Sequence, residues 1–140
     1  MSTITVSARI GAMVVQAAAA RGVEPERLRE LTGFDAAIAK DPDARIPLAV
    51  ETQLWDEAAR LTGDDAFGLH VASGIQPGVF DVLDYACRTA PTLRVSFERL
   101  MRYNRLEHDI AVFGYVDRGS IARLEHRFCI PGIEPSRHAA

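Results

Sequence analysis

LRVSFERLMRYNRLEHDIAVFGYVDRGSIARLEHRFCI, residues 93–130, changes its hydrophobic period once, and that change decides the fold class. At about 100° per residue, Leu93, Phe97, Leu100, Met101, Asn104 and His108 share one side of a helix, and Arg94, Glu98, Arg102 and Arg105 share another. Four-residue spacing of Arg94, Glu98 and Arg102 suits ion pairing within the helix. Thr92 is placed to cap it, but the third helical position is Val95, so the capping box is half made. After Asp109 the period drops to two. Ile110–Val116 and Ile121–Ile130 read as strands joined by Asp117-Arg118-Gly119-Ser120, a hairpin-type turn. In the second strand Arg123, Glu125 and Arg127 point one way, and Ala122, Leu124, His126, Phe128 and Ile130 the other. That is the pattern of a sheet with one wet and one buried face. A lone hairpin is marginal in water, so this one must lean on helices or on further strands.

Upstream, helix follows helix. Val6, Ile10, Met13, Val14 and Ala17 form an apolar stripe that stops before Gly22. Glu24–Leu31 is a short helix with Pro25 in its first turn and Gly33 just beyond its end. Asp35–Lys40 is a weak Ala-rich turn, and Asp41-Pro42-Asp43 is a turn signal. Pro47 opens a stronger helix with Leu54, Trp55, Ala58 and Leu61 on one face and Gly63 suited to a left-handed C-cap. Asp64 or Asp65 caps a short helix carrying Phe67, Leu69, His70 and Val71. Val79–Arg88 is apolar nearly all round and reads as a central helix covered on several sides. Pro131–Ala140 has no periodic pattern. The whole reads as α+β, a bundle of about six helices with a C-terminal antiparallel β-hairpin.

The composition is that of an ordinary soluble domain. Its 140 residues suffice for one core without disulfide or metal staples, and 48% hydrophobic with 25% charged residues favours neither disorder nor a collagen-like or coiled-coil rod. A net charge of −3 argues against a nucleic-acid binder, and the scattered arginines make no phosphate-tracking stripe. No apolar run is long enough to span a bilayer, so no membrane partner is expected. Met1-Ser2-Thr3-Ile4-Thr5 lacks a basic, apolar leader, so export is not expected. Cys87 and Cys129 match no metal spacing, and free thiols in a cytoplasmic protein are the plain reading.

Enzyme signatures are missing: there is no GxSxG, P-loop, GxGxxG or HExxH. His70, His108, His126 and His138 show no i, i+4 pair on one helix, so neither a metal site nor a cofactor is expected. Asp81 and Asp84, at i, i+3, form either a carboxylate pair for acid–base work or, the favoured reading, the solvated edge of their helix. Asn104 and His108 fall within an apolar stripe, where a polar group must find a partner or face a cavity. They line a ligand pocket with flanking Tyr103, or they are a satisfied core amide and a frayed helix end. His126, between Leu124 and Phe128, reads as a partly buried structural histidine.

From Asp41 onward the order of segments resembles the N-terminal effector domain of AraC-type bacterial transcription regulators, in the arabinose-binding-domain branch. The likeness covers about Ile10 to Phe128 and rests on Ala44-Arg45-Ile46-Pro47, Leu54-Trp55, Leu61-Thr62-Gly63-Asp64, Pro77-Gly78-x-Phe80, Leu83-x-Tyr85-Ala86, Pro91-Thr92-Leu93 and Arg102-Tyr103. Positions 81 and 84 are commonly glycine in such relatives, as FGxLGY, whereas both are Asp here. The resemblance implies a cytoplasmic, non-enzymatic sensing domain, residues 1–130, that binds a small-molecule effector and controls transcription. Trp55, Tyr85, Tyr103, Asn104 and His108 are its candidate ligand-binding residues, with Trp55 as an apolar wall. Residues 131–140 are expected to be a tail leading to a C-terminal helix-turn-helix DNA-binding domain absent from this chain, so DNA would be a partner only through that domain. A homodimer is compatible with this arrangement. The competing reading is a dimerisation or protein-interaction module with no small-molecule effector.

Overall fold

Val6, the first member of the helical stripe in the sequence, lies instead in a strand. β1 (Thr5–Ser7) pairs antiparallel with β2 (Arg45–Pro47), setting Val6 opposite Ile46. β-branched Val6 is fully buried there, and Arg45 ties the pair by donating from Nε to Thr5 Oγ1 at 2.8 Å. Ser7 then starts α1 (Ala8–Ala19), its hydroxyl accepting from the Arg9 amide at 3.3 Å. The structure is a computed structural model describing residues 3–139, so Met1 and Ser2 of the leader reading and Ala140 of the tail lie outside it. The architecture is α+β: six α-helices and two antiparallel strand pairs among the described residues.

The chain divides into two units, one running up to Gln76 and resuming at Pro135, the other Pro77–Glu134. In the first, α2 (Pro25–Thr32) begins at Pro25, where a missing N–H costs nothing. A 3-10 turn (Ala36–Lys40) follows, then α3 (Leu48–Thr62), which ends at Gly63 in the left-handed conformation its sequence position suggests. Asp64 accepts from the Ala66 amide at 3.0 Å ahead of α4 (Phe67–Ser73). The core joins α1 and α3: Val14, Ala18, Leu28, Leu54, Ala58 and Phe67 are fully buried. Gly11 lets α1 close on Phe34, because a Cβ there would come within 2.7 Å of the ring. Residues from Pro135 onward pack on this unit. Ser136 donates to Asp56 Oδ1 at 2.6 Å, and Arg137 donates to the Asp65 carbonyl at 2.9 Å.

The second unit holds α5 (Asp81–Arg88), α6 (Leu93–Tyr103), β3 (Ala111–Asp117) and β4 (Ala122–Phe128). Thr92 caps α6 as its sequence suggests, accepting from the Val95 amide at 3.2 Å. Three expectations are corrected here. α5 begins at Asp81 rather than Val79 and is not covered on several sides: Leu83 alone is buried, while Val82 is 64% and Tyr85 72% exposed. Within the unit only α6 packs closely on α5, and one neighbour covers one side of an eight-residue helix. α6 stops at Tyr103, and a 3-10 turn (Asn104–Leu106) leaves His108 outside it. Arg94 pairs with Asp117 of β3 and lies over the Tyr115 ring, rather than with Glu98 along the helix.

Tyr115 pairs with Leu124 and Phe113 with His126 in the hairpin register. Phe97 of α6 packs on Tyr115 at 5.5 Å between ring centroids, so the helix lies over β3. β4 receives no comparable cover. Its alternation correctly marks an apolar face, but the strand is exposed along its length except at Phe128, which is half-buried.

Candidate functional site

Asn104 and His108 come together at the start of β3. The Asn104 amide donates to the Ala111 carbonyl at 2.9 Å, and His108 Nδ1 accepts from the amides of Ala111 at 3.1 Å and Ile110 at 3.3 Å. Both residues are buried. The two backbone donors require Nδ1 to carry a lone pair, which fixes the other ring nitrogen as the protonated one in a neutral ring. These polar side chains fasten the 3-10 turn to the first rung of the hairpin.

Aromatic residues extend from this knuckle along the hairpin. His108 packs on Phe128 at 4.9 Å, His126 stacks on Phe113 at 4.8 Å with 23° between planes, and Phe97 meets Tyr115. Alternation puts Phe113, Tyr115, Leu124, His126 and Phe128 on one face of the two strands. That face is partly open: Phe113, Tyr115 and Phe128 are half-buried, and Leu124 is 40% exposed. The remaining candidates of this unit are more solvated. Tyr85 projects from α5, and Tyr103, 42% exposed, carries the Arg102 guanidinium over its ring at 5.9 Å.

Trp55 belongs to the first unit. Its ring edge packs on Phe67 at 6.0 Å, and its indole N–H donates to Glu51 Oε1 at 2.7 Å. Glu51, which the sequence reading passed over, is 4% exposed, and burial pushes its carboxyl up to about 7. The only sequence trace of this pair is its i, i+4 spacing on α3. Nearby, a charged recess of about 300 Å³ is lined by residues including Asp56, Arg60, Asp65 and Arg137.

Asp84, weighed as half of a carboxylate pair, accepts instead from the Gly78 amide and from Arg88 Nε at 2.5 Å. The Gly78 hydrogen bond, with the Arg88 charge, holds its carboxyl below the usual range. It ties down the loop before α5 rather than sitting idle at a solvated edge. No group of three His, Cys, Asp or Glu that could hold a metal occurs among the described residues, and no helix there is long and apolar enough to cross a membrane.

The family model for the arabinose-binding domain of AraC transcription regulators, N-terminal, matches residues 22–137. The chain belongs to this family. No curated protein matches it. As an AraC arabinose-binding-type domain it is a ligand-binding regulatory domain serving transcription control. The matched stretch of this AraC-type domain takes in α2 through β4, including the Asn104–His108 knuckle and the open aromatic face. It also runs on to Arg137, through the residues that dock on α3 and the start of α4.

Proposed function

We propose that this AraC-type domain senses its effector on the open aromatic face of the hairpin, in the cytoplasm and without catalysing a reaction. The observation behind this reading is a division of labour. Phe97, Phe113, Tyr115 and Phe128 offer partly uncovered rings, whereas Asn104 and His108 spend hydrogen-bonding capacity on backbone groups. A sugar such as arabinose needs several donors and acceptors, so this face favours a small molecule with a planar or apolar body. Asn104 and His108 position the face at its buried end. Tyr103 and Tyr85 are the candidates for contacting a polar group of the effector. Trp55, in the other unit and bound to Glu51, supports the core and is given no effector contact.

Regulation follows by population shift: an effector that prefers one arrangement of α6 and the hairpin changes what is presented to an attached DNA-binding domain. A thermal-shift screen of aromatic carboxylates, amino acids, lipids and L-arabinose tests the site. Aromatic or apolar compounds are expected to raise the Tm, to lose that effect in Phe113→Ala and Tyr115→Ala, and to keep it in Trp55→Phe. A stabiliser indifferent to Phe113→Ala, Tyr115→Ala, Asn104→Asp and His108→Gln alike would remove the face from consideration.

A further inference from the structure

The outer edge of β4 (Ala122–Phe128) is a row of backbone groups on a sheet of two strands among the described residues. Two-stranded sheets are marginal in water, and an uncovered edge is a template for another strand. Hydrogen bonds from Arg118 N to the Ile121 carbonyl and from Cys129 N to the Ile110 carbonyl set the phase of the β3–β4 ladder. With that phase, Arg123, Glu125 and Arg127 direct their N–H and C=O groups at β3. Ala122, Leu124, His126 and Phe128 therefore direct theirs outward. The side chains of these same four residues lie on the apolar face.

We propose that this edge pairs antiparallel with β4 of a second copy, with the two-fold axis at His126, so that two hairpins make one four-stranded sheet. Charge selects the partner and the register. Centred on Glu125, the pairing would set Glu125 against the partner's Glu125 and Arg123 against the partner's Arg127, like charges directly opposed. Centred on Leu124, it would pair Arg123 with the partner's Glu125, but Phe128 would face the partner's Ser120 in the turn. Centred on His126, Glu125 faces the partner's Arg127 and Leu124 faces the partner's Phe128, each twice by symmetry. This register joins opposite charges on the wet face and apolar groups on the other. It leaves the aromatic face continuous across the axis, so the contact uses the edge and not the proposed effector surface.

Sedimentation velocity on the chain over a wide concentration range reads the association directly. A monomer–dimer equilibrium is expected, with the dimer weakened about tenfold or more by Glu125→Arg or Arg127→Glu. The combined Glu125→Arg/Arg127→Glu variant is expected to recover the original affinity, because the opposed pair is restored with its signs exchanged. Leu124→Pro removes an outward amide without touching the β3 ladder, and should leave a folded monomer by circular dichroism. In a Cys87→Ser/Cys129→Ser background, His126→Cys is expected to oxidise to a covalent dimer, since opposed residues in such a pair lie about 5.5 Å apart. A chain that stays monomeric, a dimer indifferent to Leu124→Pro, or a charge exchange that fails to rescue would each overturn the proposal.

Discussion

Glu51 is a buried carboxyl whose environment is far from water. Burial raises its folded pKa well above the ordinary carboxylate range, to about 7, and the Trp55 N–H only partly offsets the desolvation. Below the unfolded pKa both states are protonated and the group is neutral to stability. As pH rises between the two values the unfolded chain loses its proton first, so stability falls, by a total on the order of 3 kcal/mol above pH 7. Glu51→Gln keeps an acceptor for Trp55 and removes the ionisation. Urea denaturation should show the wild type losing stability relative to this variant from pH 5 to pH 8, and parallel curves would refute the assignment. Asp81 is the second unusual residue, with φ +47° in the left-handed region. A glycine would adopt this backbone conformation without steric cost, whereas Asp84 is held by Gly78 and Arg88. Asp81→Val is expected to cost about 1–2 kcal/mol in chemical denaturation, and Asp81→Gly much less. None of this was legible in the sequence, since pKa and φ depend on neighbours that spacing does not reveal.

Helices and strands were legible wherever a cap or an alternation announces them. Thr92, Gly63 and the Asp117–Ser120 turn fall where their sequence positions suggest. Cover was not legible. Periodicity tells which side of β4 is apolar, but not whether a neighbour lies against it, and here α6 reaches β3 while β4 stays open. The same limit applies to α4 and the residues after Pro135. Gly68 approaches the His138 carbonyl so closely that a Cβ would collide with it. Gly68→Ala should strengthen α4 by up to about 1 kcal/mol of helix propensity while pushing the C-terminal residues off. Trypsin cleavage after Arg137, followed by mass spectrometry, is expected to speed up roughly tenfold. An unchanged rate would mean that these residues shift without undocking. Gly11→Ala carries no such relief, because its Cβ meets the buried Phe34 ring, and about 1–3 kcal/mol should be lost.

The molecule divides its burial unevenly between the two units. Most fully buried side chains belong to the first, around α1 and α3, while the second buries chiefly Leu83, Ile110 and Ala111 with the Asn104–His108 knuckle. Native-state hydrogen exchange should follow that division: amides of α1 and α3 exchange through global unfolding, and those of α5 and β4 through cheaper local openings. Equal protection in both units would contradict it. A unit that opens locally suits a sensor, because a ligand can then change its population of states. The sequence by itself determined the α+β class, the succession of helices before the C-terminal hairpin, most of the caps and the family, because these depend on residues close together along the chain. It did not determine the β1–β2 pair, since Val6 meets Ile46 only in the fold. Only the tertiary structure decided that Asn104 and His108 are tied to the backbone, that Trp55 shares its N–H with a buried acid, and that β4 has a free edge. Each of these turns on which distant groups desolvate, pair or leave uncovered a given side chain, and a period of 3.6 or 2 carries no such information.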